Sequence, residues 1–260
     1  MIKTLLSAVG AYRFYERWLW HQVKNGGKLE HIAIILDGNR RWATEKMLNP
    51  WFGHEKGAEK VDQLLDWCLK LGVKSVTLYA FSTENFNRSR DEVEEIMRIA
   101  EREFRKILTD ERVHKNRVHV KVIGRVNLLP ESLQRLVADV ENATKDYDKH
   151  FLNIALAYGG RAEIVDAARK IAAKTMEGKL TPEEVDEKVF EKYLYTAHMP
   201  KQDPDLIIRT SGEERLSGFL LWQSAYSEFC FLDVYWPDFR LIDLLRAVRT
   251  FQMRKRRYGA

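Results

Sequence analysis

Cysteine is scarce in this chain: there are two in 260 residues, Cys68 and Cys230. Each sits inside an apolar stretch, Trp67-Cys68-Leu69 and Phe229-Cys230-Phe231, the setting of buried core thiols. That excludes a disulfide-built scaffold and points to a reducing, cytoplasmic compartment. Proline is scarce too, with six residues, and no Pro/Gly/Ser-rich linker, repeat or low-complexity tract divides the chain. One large core is therefore expected. No uninterrupted apolar run reaches the roughly 20 residues that a bilayer crossing needs. The apolar residues from Leu5 to Val9 are also too few, and too soon followed by charges, for a secretory signal. An excess of one charge is small as well: 43 basic against 38 acidic residues leave +5. Such a surplus suits a polyanionic or membrane-surface partner. No nucleic-acid motif appears, and the aromatics do not alternate with Arg or Lys as a stacking array would, so nucleic acid is not expected.

What is present is an alternation of strand and helix patterns. Strands are expected at 32–36, 76–81, 118–123, 152–157, 206–209 and 229–234, and helices at 55–71, 91–108, 131–147, 162–176, 182–195 and 242–253. Gly72 follows one helix, and Pro130 and Pro182 each open another. This predicts an α/β fold with a central, mostly parallel six-stranded sheet flanked by helices over residues 30–260. Ahead of it, residues 1–29 carry Leu5, Val9, Tyr12, Tyr15 and Leu19 at helical spacing. Phe14, Trp18 and Trp20 widen that face, and Arg13, Glu16, Arg17 and Lys24 interrupt it. The segment reads either as an amphipathic helix at a membrane surface or as a helix packed on the domain.

Chemistry concentrates at expected strand ends, where open α/β sheets bind ligands. Asp37-Gly38-Asn39-Arg40-Arg41-Trp42 is expected as a loop after the first strand. It joins an acid able to hold a divalent metal, backbone free to approach a ligand, and two guanidinium groups that fork onto phosphate oxygens. An ordinary Asp-Gly turn is the alternative. Arg209-Thr210-Ser211-Gly212-Glu213-Glu214-Arg215-Leu216-Ser217 follows a second apolar run. Two strand ends so loaded form a shared anion site more readily than two independent turns. Ser82-Thr83-Glu84-Asn85-Phe86-Asn87-Arg88 lies at the same sheet edge, either as ligand groups or as caps for the helix near Asp91. His54, after Phe52-Gly53, would start the first long helix near the phosphate loop.

Six blocks in order resemble the cis-prenyltransferases, the undecaprenyl diphosphate synthase family. They are the Asp37–Trp42 segment, Phe52-Gly53-His54-Glu55-x-Gly57, Tyr79 to Arg88, Tyr158-Gly159-Gly160-Arg161, Arg209 to Ser217, and Leu221-Trp222-Gln223-x-Ala225-Tyr226-Ser227-Glu228. The aromatic N-terminal extension and the paired Arg40-Arg41 look most like the archaeal branch, whose members elongate geranylgeranyl diphosphate. The resemblance implies a butterfly-shaped homodimer. It also implies repeated condensation of isopentenyl diphosphate onto an allylic diphosphate, each step making a cis double bond, to give the precursor of a glycosyl carrier lipid. Asp37 would hold Mg²⁺ with the diphosphate. Gly38, Asn39, Arg40 and Arg41, with Trp42 and Phe86, would form the allylic diphosphate site, and Arg88 would lie near the leaving group. Arg209, Arg215 and Ser217 would bind isopentenyl diphosphate, together with Arg257 and Gly259 of a tail that crosses to a partner. Glu228 matches an acid that the partner lends to the metal. His54, Ser82 and Asn85 match residues that assist departure of diphosphate and removal of a proton.

The product needs an apolar tunnel. Val93, Ile96, Met97, Ala100 and Phe104 of one helix, with Leu152, Ile154 and Leu156 of one strand, could line it or serve as ordinary core. Small Ala80 leaves room near the mouth. His150 stands where bacterial members often carry an apolar stop residue, Pro50 where they carry an arginine, and Glu214 where some carry a histidine. Two other readings remain: a non-catalytic partner subunit of a heteromeric prenyltransferase, which intact Asp37, Arg41, Arg209 and Arg215 oppose, and a nucleic-acid binder. Location would be cytoplasmic, with peripheral association at the membrane face.

Overall fold

A computed structural model describes residues 10–254. Arg257 and Gly259 of the tail, and Leu5 and Val9 of the N-terminal pattern, lie outside them. Six strands form one sheet: β1 (His31–Ile35), β2 (Ser75–Ser82), β3 (Val118–Ile123), β4 (His150–Tyr158), β5 (Leu206–Arg209) and β6 (Glu228–Phe231). Their order is β3-β4-β2-β1-β5-β6, and every pairing is parallel. The sheet is thus wholly parallel rather than mostly so. All five residues of β1 are buried, as expected of a central strand covered on both faces. Successive strands step outward in opposite directions on either side of the β1/β5 pair, which makes the gap at their C-terminal ends the switch point of the fold.

The long helices are α1 (Ala11–Lys24), α3 (Pro50–Leu71), α4 (Arg90–Thr109), α6 (Glu131–Thr144), α7 (Gly160–Met176) and α9 (Leu241–Met253). Shorter ones are α2 (Asn39–Glu45), α5 (Glu111–Lys115) and α8 (Glu187–Glu191). Three expectations are corrected. Residues 39–45 are not loop: Gly38, at φ 102°, turns the chain straight into α2. α3 begins at Pro50 in its first turn, so His54 lies inside the helix rather than at its start. The helix expected over 182–195 breaks into a 3₁₀ turn, Pro182–Glu184, and α8, because Thr181 with Glu184 and then Asp186 cap two separate starts.

α1 settles on α9. Leu19 and Val23 are buried, and Arg240, Arg246 and Arg249 lie over the rings of Tyr12, Tyr15 and Trp18 at 5.8, 5.3 and 4.9 Å. Its outer side leaves Arg13, Phe14, Arg17 and Trp18 exposed. The packed reading of the helix therefore holds for one face only. Among the described residues, no helix is long and apolar enough to cross a membrane.

Candidate active site

Asp37 follows β1 and Arg209 ends β5, so the parallel register that pairs Ile35 with Arg209 brings the two together. Asp37 Oδ2 accepts from Arg209 Nη2 at 2.7 Å and from Nε at 3.2 Å. The Arg209 side chain is 5% exposed, which rules out a solvated surface charge. Its Nη1 also donates to Ser217 Oγ at 2.8 Å. Arg41, from the first turn of α2, donates to Ser211 Oγ at 2.6 Å and lies 3.4 Å from Asp37 Oδ1. Partial burial pushes the Asp37 carboxyl up, but the hydrogen bonds and charge of Arg209, with Ser211 and Arg41, outweigh it and hold the pKa below the ordinary value. Asp37 is an anion at neutral pH, with Oδ1 only loosely engaged. Arg215 differs from Arg209: its side chain is 63% exposed and pairs with Glu213.

The backbone around this cluster is strained. Ser211, Ser217 and Leu220 have φ of 79°, 48° and 45°, with Gly212 and Gly218 also left-handed. Left-handed non-glycine residues cost about 1–3 kcal/mol each and collect at functional sites. Thr210, fully buried, holds the frame: its hydroxyl accepts from the Asp37 amide at 3.0 Å and donates to the Asp37 carbonyl at 2.7 Å.

A second cluster faces the first across α2. Glu92 of α4, 8% exposed, receives Arg88 Nη1 at 2.9 Å and His54 Nε2 at 3.1 Å on one oxygen, and Arg40 Nη1 lies 3.6 Å from the other. Burial lowers the pKa of His54, Glu92 opposes that, and Arg88 and Arg40 reinforce it, so the ring is neutral at pH 7. The Ser82 amide donates to Asn85 Oδ1 at 2.9 Å, closing a capping box on the 3₁₀ turn Thr83–Asn87. These residues therefore do not cap the helix near Asp91. Phe86 packs edge-on against Phe81 at 4.9 Å, and Trp42, on the inner face of α2, is buried with its indole N–H unpartnered.

The glycines of the His54 block allow a close approach. A Cβ on Gly53 would stand 2.0 Å from the Asn39 carbonyl oxygen, and one on Gly57 2.4 Å from Asn39 Oδ1. α3 consequently presses against the start of α2. Beside that contact opens an apolar cavity of about 220 Å³ under α3 and α4, running from Asn39 and His54 to His150. Ile96, Ala100, Phe104, Leu152, Ile154 and Leu156 line it as expected, and so does Ala80. Val93 and Met97 do not. They turn to a separate groove with Phe86, Leu128 and Leu129, on the adjoining face of α4.

Leu36 and Asn39, on either side of Asp37 and Gly38, border this apolar cavity, so the Asp37 cluster lies beside one end of it. The family model described as "Putative undecaprenyl diphosphate synthase" matches residues 35–259. The chain belongs to the undecaprenyl diphosphate synthase family. Over 248 residues it is 54% identical to the tritrans,polycis-undecaprenyl-diphosphate synthase (geranylgeranyl-diphosphate specific) of Methanopyrus kandleri, covering 95% of this chain and 91% of that one. The protein of the same name in Pyrococcus abyssi is 53% identical over 249 residues, covering 96% and 94%. Lavandulyl diphosphate synthase from Lavandula x intermedia, solved with dimethylallyl diphosphate, superposes with a TM-score of 0.86 at 39% identity, covering 89% of this chain and 98% of that one. A "probable undecaprenyl diphosphate synthase" of Campylobacter jejuni gives 0.72 at 31%, covering 90% and 100%.

Two residues that hold these clusters together stand outside the sequence motifs. Glu92 was findable, since it stands four residues after Arg88 in an i,i+4 ion-pair spacing. Trp236, whose indole donates to the Gly57 carbonyl at 2.8 Å and whose amide donates to the Asp37 carbonyl at 3.0 Å, left no sequence signal. Glu228 opens β6 opposite Leu206, at the sheet edge away from Asp37, and pairs with Arg254. Glu228 faces Leu206, which faces Ile32, so the rise from Ile32 to Asp37, roughly 17 Å, and two strand spacings of about 4.8 Å separate it from Asp37 within one chain.

Proposed function

We propose that the protein is a cis-prenyltransferase that condenses isopentenyl diphosphate repeatedly onto geranylgeranyl diphosphate, giving a long-chain polyprenyl diphosphate. The observation that carries this reading is that Leu36, Asn39 and His54 border the apolar cavity at the end nearest the Asp37–Arg41–Arg209 cluster, the cluster suited to diphosphate and the cavity to its hydrocarbon tail. The names of the archaeal relatives supply the primer.

The allylic diphosphate would sit at the start of α2, where the amides of Asn39, Arg40 and Arg41 have no partner within the helix, with Arg40, Arg41 and Arg88 as cations. Isopentenyl diphosphate would meet Arg209, Arg215 and Ser217, joined by Arg257 and Gly259. Between the two, the allylic C–O bond breaks, a carbon–carbon bond forms to the isopentenyl unit, and that unit loses a proton. Neutral His54, fixed on Glu92, with Ser82 and Asn85 would orient the reacting groups.

Mg²⁺ fits the donors present. Among the described residues, no three acidic, histidine or cysteine side chains gather as a metal cage. One ionised carboxylate with a loosely held oxygen is, however, what Mg²⁺ uses when substrate phosphates complete its shell. Asp37 would hold it, and when bound it neutralises charge on the departing diphosphate. Glu228 could join it only from a second copy, which favours a homodimer. The exposed Arg13, Phe14, Arg17 and Trp18 would rest on an anionic membrane face, close to the lipid product.

The test is product formation from radiolabelled isopentenyl diphosphate with each allylic primer, with and without Mg²⁺, resolved by chain length. Metal-dependent long products with geranylgeranyl diphosphate are expected. No product with any primer would leave the role of a non-catalytic partner subunit.

A further inference from the structure

The chain leaving β6 crosses between the two halves of the anion cluster. The Leu232 amide donates to the Arg209 carbonyl at 2.9 Å, and the Leu232 and Val234 carbonyls accept from the Gly212 and Ser211 amides at 2.9 and 2.7 Å. One residue further, the Trp236 amide reaches the Asp37 carbonyl at 3.0 Å. Tyr235 stands in the middle of this crossing. Its ring lies directly on Gly38, where a Cβ would come within 2.6 Å of Tyr235 Cδ1. The Arg41 guanidinium carbon lies over the same ring, 5.7 Å from its centroid. The Tyr235 hydroxyl donates to Glu45 Oε1 at 2.5 Å.

Arg41 and Glu45 are four residues apart on α2, the spacing at which a cation and an acid on one helix face pair with each other. Here both turn to Tyr235 and no ion pair joins them. Glu45 is taken by the Tyr235 hydroxyl, while Arg41 reaches Ser211 Oγ at 2.6 Å, Glu213 at 3.3 Å and Asp37 at 3.4 Å. Those partners draw the guanidinium into the anion cluster, whereas Glu45, one turn along α2, would draw it out. A guanidinium that rests on a ring by its face also keeps its in-plane N–H groups for phosphate oxygens. As a brace, the hydroxyl adds little. The ring on Gly38 and the Trp236 amide already tie this crossing to the Asp37 loop, and Glu45 is exposed, where water replaces a lost partner.

We propose that Tyr235 is a positioning residue for the allylic diphosphate: its ring carries the face of Arg41, and its hydroxyl holds Glu45 off that guanidinium. The proposal rests on the prenyltransferase reading above and deepens it. Tyr235 acts through Arg41.

The experiment compares Tyr235→Phe, Tyr235→Leu, Glu45→Gln and the double variants of each Tyr235 change with Glu45→Gln. Affinity for geranylgeranyl diphosphate is measured by calorimetry without isopentenyl diphosphate, so that no condensation occurs, with inorganic diphosphate as the tail-free probe. Melting temperature and steady-state kinetics are read beside it. Tyr235→Phe should weaken both ligands about twofold, the size of a released helix-surface ion pair, and adding Glu45→Gln should restore them. Glu45→Gln alone should bind at least as tightly as the unaltered protein. Tyr235→Leu should weaken binding about four- to tenfold, because the cation–π contact goes as well, and Glu45→Gln should recover only the smaller part. The KM for the primer should rise by a larger factor than kcat falls. Raising salt should narrow the gap between Tyr235→Phe and the unaltered protein, since it screens an Arg41–Glu45 pair. A mere brace would lower the melting temperature and leave the affinities alone. That result, or a Tyr235→Phe/Glu45→Gln protein that binds as weakly as Tyr235→Phe, overturns the proposal. If Tyr235→Leu does not fold, Tyr235→Phe keeps the ring on Gly38 and carries the same test. No polyprenyl product from the unaltered protein with any primer would overturn the enzymatic reading and leave inorganic diphosphate to judge Tyr235. Normal synthesis with unchanged affinities in Tyr235→Phe overturns only the role of Tyr235.

Discussion

The two edges of the sheet both carry Arg–Asp pairs, and they use them in opposite ways. At the C-terminal edge, Arg209 is buried, locked by Asp37 and Ser217, and framed by left-handed residues. At the N-terminal edge, Arg112 is exposed and bridges helices across a corner. A buried charge pair resists rearrangement because opening it strands a charge in low dielectric. An exposed pair loses little, since water replaces the partner. The Arg209 cluster is thus preorganised, whereas the Arg112 pairs can open at little cost.

The strongest way to break this comparison is Asp37→Asn, which keeps a hydrogen-bond acceptor for Arg209 but removes the charge. A loss of about 10³ in kcat/KM is expected, with unchanged circular dichroism; near-normal turnover would end the assignment of Asp37 to the metal. Gly53→Ala comes next, because its Cβ would run into the Asn39 carbonyl. Overpacking there should cost about 1–3 kcal/mol in urea unfolding and raise the KM for the allylic primer more than that for isopentenyl diphosphate. Ala80→Leu sharpens the contrast from the cavity side: Ala80 is exposed within an otherwise largely buried strand because it faces the cavity. Filling that space should shorten the product and leave the melting temperature unchanged or slightly higher.

The smallest effect on turnover concerns the sheet face opposite the cavity. Burial pushes His31 down to about 4 from 6.5, and burial with the nearby charges of His119 and Lys121 does the same for His198. The unfolded chain binds protons that the folded one refuses between these values. Stability should therefore be full above about pH 6.5 and fall as pH drops towards 4, by of order 1 kcal/mol per pH unit for each histidine. His198→Gln should flatten that slope in urea midpoints measured against pH. Catalytic pH dependence, set at the mouth, should not follow it.

Much of this was legible in the chain. The runs Ile32–Leu36, Val118–Ile123 and Leu206–Arg209 read as buried strands because apolar β-branched residues crowd them, and Gly72 and Pro130 mark helix limits by backbone geometry alone. Asp37 and Arg209 stood out because chemistry collects just beyond such runs. The α2 helix was not legible, because Asp37-Gly38-Asn39 is also a perfect turn sequence and only packing under Trp236 and α3 decides between the two. The 182–195 segment failed for the converse reason: its helical spacing has too little apolar surface to hold one long helix, and local caps cut it. Val93 and Met97 read as tunnel wall because period alone does not say which side of an amphipathic helix meets a cavity.

By itself, the sequence determined the alternation of strands and helices, the burial of the sheet and the kind of chemistry at its strand ends, since these follow from local periodicity and side-chain type. Tertiary structure alone decided the rest: that Asp37 and Arg209 share a bond across 172 positions, that Glu92 gathers His54, Arg88 and Arg40, and that Arg112 reaches Asp66 of another helix. Charge pairing and close packing depend on distance in space, and strand register and helix approach set that distance.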